Sequence, residues 1–275
     1  MPIAVGDPSP ERSLPEALAP LRADPSRSAV LLDVDGTLAP IVRHADDAHV
    51  PEATRVPLIA IARRYGLVAC VSGRRAATAR RIVSLGSITY VGNHGSEILR
   101  GGSTALEIDP EAGRWTQRVA AFSDAAWTDR LHRLRVRMED KELIRAFHWR
   151  GAPDEAAAEL AVRDLAQRAE EEGFAVHWGR KVLEVRPPVE LHKGRGVTWL
   201  LREADVTHAL YAGDDNTDLD AFRALRELVE QGRLQAALCV GVRSDETPAD
   251  LEAQADVLVD GPAGVRRLLE ALAAS

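Results

Sequence analysis

The chain has 275 residues, 45% of them hydrophobic and 28% charged, which is the composition of an ordinary globular protein with room for one large domain or two modest ones. Its net charge of −7 argues against nucleic-acid or membrane-surface partners, so a phosphorylated substrate would need a local basic patch. The sequence has no apolar run of the ~18 residues that a membrane span needs, and its start lacks a signal-peptide pattern. Cys70 and Cys239 lie in apolar runs. We expect buried thiols in a reducing compartment, and therefore a cytoplasmic protein.

Short apolar runs that alternate with helical patterns predict an α/β core built on buried parallel strands. After a loose tail over 1–12, strands are predicted at 29–33, 67–71, 209–212, 237–240 and 256–259. Core helices are predicted at 14–21, 50–65, 76–85, 194–203, 218–228 and 263–273, with a hairpin over 96–108.

The middle of the chain has a different pattern, which predicts a separate unit. Its predicted elements are a helix at 111–132, strands at 134–139 and 143–149, a helix at 153–172, and strands at 174–178 and 181–186. The order α-β-β-α-β-β predicts an α+β unit over 111–187, inserted into a core made of 1–110 and 188–275.

Four polar clusters, at 33–37, 72–74, 193–194 and 213–218, occur in this order along the chain. Three of them directly follow predicted strands. In open α/β sheets, ligands bind outside the carboxyl ends of the strands, so these three clusters are expected to converge on one pocket. Carboxylates, a hydroxyl and a lysine in one pocket are what Mg²⁺-assisted phosphoryl transfer needs.

The first cluster contains Asp33 and Asp35, separated by one residue and followed by Gly36. If the chain turns at the glycine, one carboxylate can attack phosphorus while the other donates a proton to the leaving oxygen. The alternative is a solvated turn that uses aspartate and glycine for backbone reasons.

The other clusters also allow two interpretations each. Ser72 could cap a helix, hold a phosphoryl oxygen together with Arg74, or do both. Lys193 is either a surface charge or the group that neutralises the phosphoryl group. The fourth cluster holds Asp214, Asp215 and Asp218, which either bind a cation or support a helix start.

These clusters, together with more specific signatures, resemble the trehalose-6-phosphate phosphatase family of the haloacid-dehalogenase (HAD) superfamily. The signatures are Asp-Val-Asp-Gly-Thr-Leu-Ala-Pro-Ile-Val at 33–42, Gly-Asn-His-Gly at 92–95, Lys-Val-Leu-Glu-Val-Arg-Pro at 181–187 and Gly-Asp-Asp-Asn-Thr-Asp at 213–218. The resemblance implies a Rossmann-like HAD core with a parallel sheet, plus an inserted C2-type cap. One residue departs from the pattern, since the family usually has glutamate where this chain has Leu219.

The resemblance also implies a role for each site residue. Asp33 would be the nucleophile that forms an aspartyl phosphate, and Asp35 the general acid and then the base. Ser72 and Lys193 would hold the phosphoryl group. The implied Mg²⁺ ligands are Asp33, Asp35 through its carbonyl, and Asp214, supported by Asp215 and Asp218. The implied substrate-binding residues are Arg74, Asn93, His94, Arg150, Lys181 and Glu184, the last being the family's cap glutamate.

Three functions follow as hypotheses. The first is hydrolysis of trehalose 6-phosphate, in functional pairing with a trehalose-6-phosphate synthase. No fused synthase domain is expected, because fewer than thirty residues precede the first strand. The second is hydrolysis of another sugar phosphate, such as a sucrose- or glucosylglycerol-type ester. The third is a non-catalytic subunit that senses sugar phosphate for a partner synthase.

Overall fold

The computed structural model describes residues 13–42, 47–245 and 247–274. The predicted tail over 1–12 lies outside these residues. The chain folds into two compact units: a core unit, formed by the segments up to Glu107 and from His192, and a second unit, Ile108–Leu191.

Strands and helices of the described residues follow one another in the predicted order, with a few differences. The strands are β1 (Ser28–Leu32), β2 (Leu67–Val71), β3 (Thr89–Gly92), β4 (Glu97–Leu99), β5 (Leu106–Ile108), β6 (Arg137–Asp140), β7 (Arg145–His148), β8 (Ala175–Gly179), β9 (Val182–Arg186), β10 (His208–Gly213), β11 (Ala236–Arg243) and β12 (Val257–Asp260). The helices are α1 (Leu14–Ala17), α2 (Ala19–Ala23), α3 (Glu52–Ala62), α4 (Ala76–Val83), α5 (Pro110–Gly113), α6 (Thr116–Ala126), α7 (Asp129–Arg133), α8 (Glu155–Glu171), α9 (Lys193–Glu203), α10 (Asp218–Glu230), α11 (Ala249–Gln254) and α12 (Gly261–Ala273).

The core unit contains an eight-stranded sheet in the order β12-β11-β10-β1-β2-β3-β4-β5. The six strands from β12 to β3 are parallel, and β4 is antiparallel to β3. Alternate residues of β1 enter two apolar clusters, Val30 and Leu32 in one, Ala29 and Leu31 in the other. Strands buried on both faces need continuous apolar runs, which explains why the α/β class was predictable; that prediction is confirmed.

The second unit contains a four-stranded antiparallel sheet in the order β6-β7-β9-β8. One face packs on helices through buried residues that include Phe122, Phe147 and Leu165. Because side chains alternate along a strand, the neighbouring positions Glu184 and Arg186 lie on the opposite face. The sheet is therefore amphipathic, with one apolar and one charged face.

The predicted helix over 111–132 is wrong in one respect, because the structure divides it into α5, α6 and α7. Trp127 leaves helical geometry at ψ 75° and Thr128 is extended, so α6 ends there and α7 starts anew. The predicted strand at 134–139 starts later, at Arg137, since Arg135 has a φ of +57°. Helix α11 was not predicted.

Cys70 and Cys239 are buried free thiols. Among the described helices, none has the length and apolar character to cross a membrane.

Candidate active site

Four charged residues of the core unit meet at the carboxyl ends of β1 and β10. Asp33 follows β1, Asp214 follows β10, and Lys193 and Asp218 are the first residues of α9 and α10. All four side chains are nearly buried. Because β1 and β10 are parallel neighbours in the sheet, their ends bring together residues that are 181 positions apart in the chain.

Lys193 joins two carboxylates in this cluster. Its Nζ lies 2.8 Å from Asp33 Oδ1 and 2.7 Å from Asp218 Oδ1. Burial alone would lower the pKa of Lys193, but Asp218 and Asp33 outweigh burial and raise it. The lysine is therefore a fixed positive charge beside Asp33.

Each carboxylate oxygen of Asp218 accepts two hydrogen bonds. Its Oδ1 accepts hydrogen bonds from Lys193 Nζ and from the Tyr211 hydroxyl, the latter at 2.6 Å. Its Oδ2 accepts the backbone N–H groups of Asp214 at 2.9 Å and Asp215 at 3.0 Å. Asp218 therefore shapes the loop after β10 and positions Lys193. Sequence reasoning missed Tyr211, although a tyrosine in a buried strand needs a partner for its hydroxyl.

Asp214 lies against the turn at Gly36. Its Oδ1 accepts a hydrogen bond from the Thr37 hydroxyl at 3.1 Å. A Cβ at Gly36 would lie 2.0 Å from Asp214 Oδ2, and the φ of Gly36 is +84°, so both space and backbone conformation require glycine. The Asp-x-Asp-Gly sequence thus allows Asp214 to approach the loop after β1.

Oxygen atoms of Asp33, Asp214 and Asp218 lie within 4.8 Å of one another, which is a spacing that a metal ion can bridge. Burial raises the pKa of Asp33, and Asp218 and Asp214 raise it further against the opposing effect of Lys193. Burial, with Asp218 and Asp215, raises the pKa of Asp214 to about 6. One lysine does not balance these carboxylates, and a set of hard oxygen donors with excess negative charge suits Mg²⁺.

Asp215 is more exposed than its neighbours, with 56% of its side chain accessible. Its Oδ1 accepts hydrogen bonds from the Thr217 N–H at 2.8 Å and hydroxyl at 2.6 Å. Lys193 Nζ lies 3.7 Å away. Asp215 therefore shapes the loop through Thr217 and lies at the solvent-exposed edge of the cluster, within ion-pair distance of Lys193.

Asp35 and Arg74 form a two-bond ion pair. Arg74 Nε and one terminal nitrogen of its guanidinium donate to the two oxygens of Asp35 at 2.7 and 2.8 Å. Asp33, in contrast, is held by Lys193, so the two aspartates of the first cluster have different partners. Ser72 follows β2, the sheet neighbour of β1, and its Oγ accepts the Arg74 N–H at 3.1 Å.

Asn93 and His94 lie on a segment with an unusual backbone. Their φ angles are +46° and +55°, a region that side-chain-bearing residues rarely adopt. Asn93 N–H donates to the Arg74 carbonyl at 2.8 Å, and His94 N–H to the Ser72 carbonyl at 3.3 Å. The segment is thereby joined to the Ser72 loop. Sequence reasoning missed Glu97, a buried carboxylate that contacts both segments.

In the second unit, Glu184 is held between two cations on the charged sheet face. Lys141 Nζ donates to Glu184 Oε1 at 2.8 Å, and Arg186 Nε donates to Oε2 at 2.9 Å. Burial alone would raise the pKa of Glu184, but Arg186 and Lys141 lower it to about 2. Lys141 and Arg186 were not predicted as site residues.

The two remaining predicted residues have other partners. Lys181 lies in the turn between β8 and β9 and forms an ion pair with Glu155 at 2.5 Å. Arg150 donates to the Arg180 carbonyl at 3.1 Å. The structure therefore gives Lys181 and Glu184 separate ion pairs.

Comparison with known proteins gives a family match: the Trehalose-phosphatase family model covers residues 31–256. The chain belongs to the trehalose-phosphatase family. A trehalose-phosphate phosphatase of Mycobacterium marinum is 35% identical over 224 residues, which are 77% of this chain and 56% of that protein. The chain spans about half the length, or less, of the curated relatives it matches.

Solved structures share the fold of this trehalose-phosphatase family member. The C-terminal domain of Candida albicans trehalose-6-phosphate phosphatase superposes with a TM-score of 0.69 at 22% identity, covering 96% of this chain and 98% of that domain. The C-terminal domain of the Candida albicans trehalose synthase regulatory protein gives a TM-score of 0.59 at 13% identity, covering 90% and 93%. At these identities the likeness concerns the fold alone.

The departure of this family member at Leu219 has a packing explanation. Leu219 is 7% exposed and joins Phe222 in one of the two apolar clusters of the core unit. The leucine therefore contributes to the apolar packing of α10 against the core.

Proposed function

We propose that the protein is a Mg²⁺-dependent phosphatase that hydrolyses trehalose 6-phosphate to trehalose and phosphate. The observation that carries this proposal is the buried contact of Lys193 with Asp33 and Asp218 beside Asp214. Family membership supplies the substrate class. The structural neighbours include both a phosphatase and a regulatory protein, so the fold alone does not argue for catalysis. The argument for catalysis rests on the side chains of the site.

Asp33 is the proposed nucleophile. Its Oδ1 is held by Lys193, which leaves Oδ2 to attack phosphorus as the bond between phosphorus and the sugar oxygen breaks. Asp35 donates a proton to that leaving oxygen. It then takes a proton from water, whose oxygen attacks the aspartyl phosphate, releases phosphate and restores Asp33.

The proposed metal ligands are the carboxylates of Asp33 and Asp214 and the carbonyl of Asp35. When bound, Mg²⁺ neutralises the phosphoryl oxygens and the nucleophile. Asp218 has the role of positioning Lys193 and the loop, because its oxygens are already occupied. Asp215 supports the same loop through Thr217.

Ser72 and Lys193 are proposed to hold the phosphoryl group, with Arg74 at its edge. Arg74 occupies both oxygens of Asp35, so it has to release at least one of them before Asp35 can contact the leaving oxygen. A phosphate ester, with its own negative charge, is a competing partner for the guanidinium.

The second unit is proposed to be the mobile cap that recognises the sugar. Its charged sheet face supplies Glu184, flanked by Lys141 and Arg186, and charged groups of both signs can hydrogen-bond sugar hydroxyls. His94, Lys181 and Arg150 remain candidate substrate contacts. A cytoplasmic location and functional pairing with a trehalose-6-phosphate synthase complete the proposal.

Phosphate release across a panel of sugar phosphates, with Mg²⁺ or with EDTA, tests this proposal. We expect Mg²⁺-dependent release that is greatest for trehalose 6-phosphate. Greater release from a sucrose- or glucosylglycerol-type ester would replace the substrate. Binding of trehalose 6-phosphate without any phosphate release would favour the sensing subunit. Asp33→Asn serves as the inactive control in each assay.

A further inference from the structure

Glu97, the first residue of β4, is a buried carboxylate that joins two segments of the candidate site. Its Oε1 accepts the Ala76 N–H at 2.5 Å, and its Oε2 accepts the side-chain amide of Asn93 at 2.9 Å. The residue is 0% exposed. A Cβ at Gly92 would lie 2.6 Å from Glu97 Oε1, so the carboxylate is tightly enclosed.

The first of these segments is the Ser72 loop, which leads into α4. Arg75, the residue before α4, provides no side-chain cap for the helix. The first backbone N–H groups of a helix have no intrahelical partner, so the Ala76 N–H needs an acceptor from elsewhere. Glu97 provides that acceptor from a different strand, and thereby fixes the end of the loop that carries Ser72 and Arg74.

The second segment contains Asn93 and His94 with their positive φ angles. Such backbone conformations persist only where the surroundings hold them, and they are frequent at functional sites. Glu97 holds Asn93 by its side chain, while the Asn93 N–H donates to the Arg74 carbonyl. The two segments are therefore tied to each other directly and through one shared carboxylate.

We infer that Glu97 is a positioning residue for the phosphatase site. It sets the Ser72 loop and the Asn93–His94 segment in register, so that Ser72, Arg74 and His94 face the phosphate ester together. The catalytic part of this inference rests on the proposed function. The physical coupling of the two segments does not depend on the identity of the substrate.

Two substitutions separate positioning from charge. Glu97→Leu removes both acceptors, and kcat/KM for p-nitrophenyl phosphate should fall about 10-fold or more. Glu97→Gln keeps a carbonyl oxygen for the Ala76 N–H, and its NH2 group can donate to Asn93 Oδ1 once the Asn93 amide turns over, so it should recover most of the loss. Equal losses in Glu97→Leu and Glu97→Gln would overturn the inference, because the charge rather than the hydrogen bonds would then matter.

A control variant separates loss of activity from loss of stability. Asp256→Ala removes a carboxylate that accepts the Cys239 N–H at 2.7 Å at the opposite end of the sheet. It should lower the melting temperature and leave kcat/KM unchanged. If Glu97→Leu does the same, Glu97 is structural only and the inference fails.

Hydrogen–deuterium exchange tests the coupling even if no phosphatase activity is found. Glu97→Leu should accelerate exchange in peptides that cover both 72–76 and 92–96, and Asp256→Ala in neither. Should Glu97→Leu not fold, Asn93→Ala removes the hydrogen bond to Glu97 Oε2 and should still accelerate exchange near Ala76. Unchanged exchange near Ala76 in the variant that folds would overturn the inference. If the wild-type protein does not hydrolyse trehalose 6-phosphate, that result would overturn only the proposed substrate.

Discussion

Tyr211 donates a 2.6 Å hydrogen bond from its hydroxyl to Asp218 Oδ1, and both side chains are fully buried where β10 leads into α10. Burial, together with the Asp218 charge, raises the pKa of Tyr211, so its proton stays in place at neutral pH. The hydroxyl fixes one oxygen of the carboxylate that also positions Lys193. The alignment of the proposed nucleophile thus depends on a tyrosine in the core of the sheet.

Tyr211→Phe should therefore affect both stability and activity. Loss of a hydrogen bond to a charged group should lower the free energy of unfolding by about 1.5–3 kcal/mol. It should also reduce kcat several-fold, since Asp218 holds Lys193 less firmly. Urea unfolding and phosphate release measure the two effects. Tyr90→Phe is the matched control, because its buried hydroxyl donates to the Leu85 carbonyl away from the acidic cluster. A Tyr211→Phe variant with unchanged kcat would separate this hydrogen bond from catalysis.

Asp33→Asn should abolish turnover while the fold stays intact. The amide is nearly isosteric with the carboxylate but is a poor nucleophile and a poor metal ligand, so kcat should fall by roughly 1,000-fold or more. Because burial and like charges raise the pKa of Asp33, removing its charge should not lower the melting temperature in Mg²⁺-free buffer. Phosphate release at the wild-type rate from a folded Asp33→Asn protein would rule out the covalent mechanism.

Asp214→Ala should weaken Mg²⁺ binding more than it weakens the fold. A ligand that binds only the folded state raises the melting temperature, and the size of the rise reports its affinity. The variant should lose most of this Mg²⁺-induced rise, while its metal-free melting temperature should equal or exceed that of the wild type. Differential scanning calorimetry with and without Mg²⁺ measures both. Retention of the full Mg²⁺-induced rise would show that Asp214 is not a ligand.

The core of the fold was predictable because its strands are buried on both faces. The apolar run at 67–71 coincides with β2 residue for residue. The break between α6 and α7 was not predictable, because neither Trp127 nor Thr128 is a glycine or proline that would mark it.

The candidate site was predictable where its residues follow strands, as Asp33 and Asp214 do. The partners of these residues were not, because they come from distant parts of the chain. Ala76 and Glu97 are 21 residues apart, and Lys141 and Glu184 are 43 apart. Such pairs leave no periodic signal in the sequence, so only the folded chain shows them.

Glu184 should make the stability of the second unit depend on acid pH. A carboxyl group whose pKa is lower in the folded than in the unfolded state contributes its full stability above its unfolded pKa. For Glu184 that contribution should be lost as the pH falls from 4.5 towards 2. The fall in pKa from 4.5 to about 2 corresponds to a stability on the order of 3 kcal/mol at pH 7.

Glu184→Gln removes this contribution, so its unfolding free energy should differ from that of the wild type at pH 7. The difference should shrink below pH 4.5 and vanish only at about pH 2. Tryptophan fluorescence during urea unfolding suits this measurement, because every tryptophan except Trp199 lies in the second unit. A difference that stays constant with pH would contradict the ion pairs with Lys141 and Arg186.

Glu184 should also decide which phosphate ester is hydrolysed well. If the second unit reads the sugar and the core unit holds the phosphate, Glu184→Ala should lower kcat/KM for trehalose 6-phosphate by about 10-fold or more, or about 1.4 kcal/mol. It should barely change kcat/KM for p-nitrophenyl phosphate, which has no sugar to recognise. Glu159→Ala is a matched control, since Glu159 forms an exposed ion pair with Arg163 on α8 and has no part in the charged sheet face. Binding of the remote sugar would also help to exclude water from the reaction. Equal losses on both substrates would place Glu184 in the folding of the second unit or in the chemistry itself, and sugar recognition by Glu184 would be wrong.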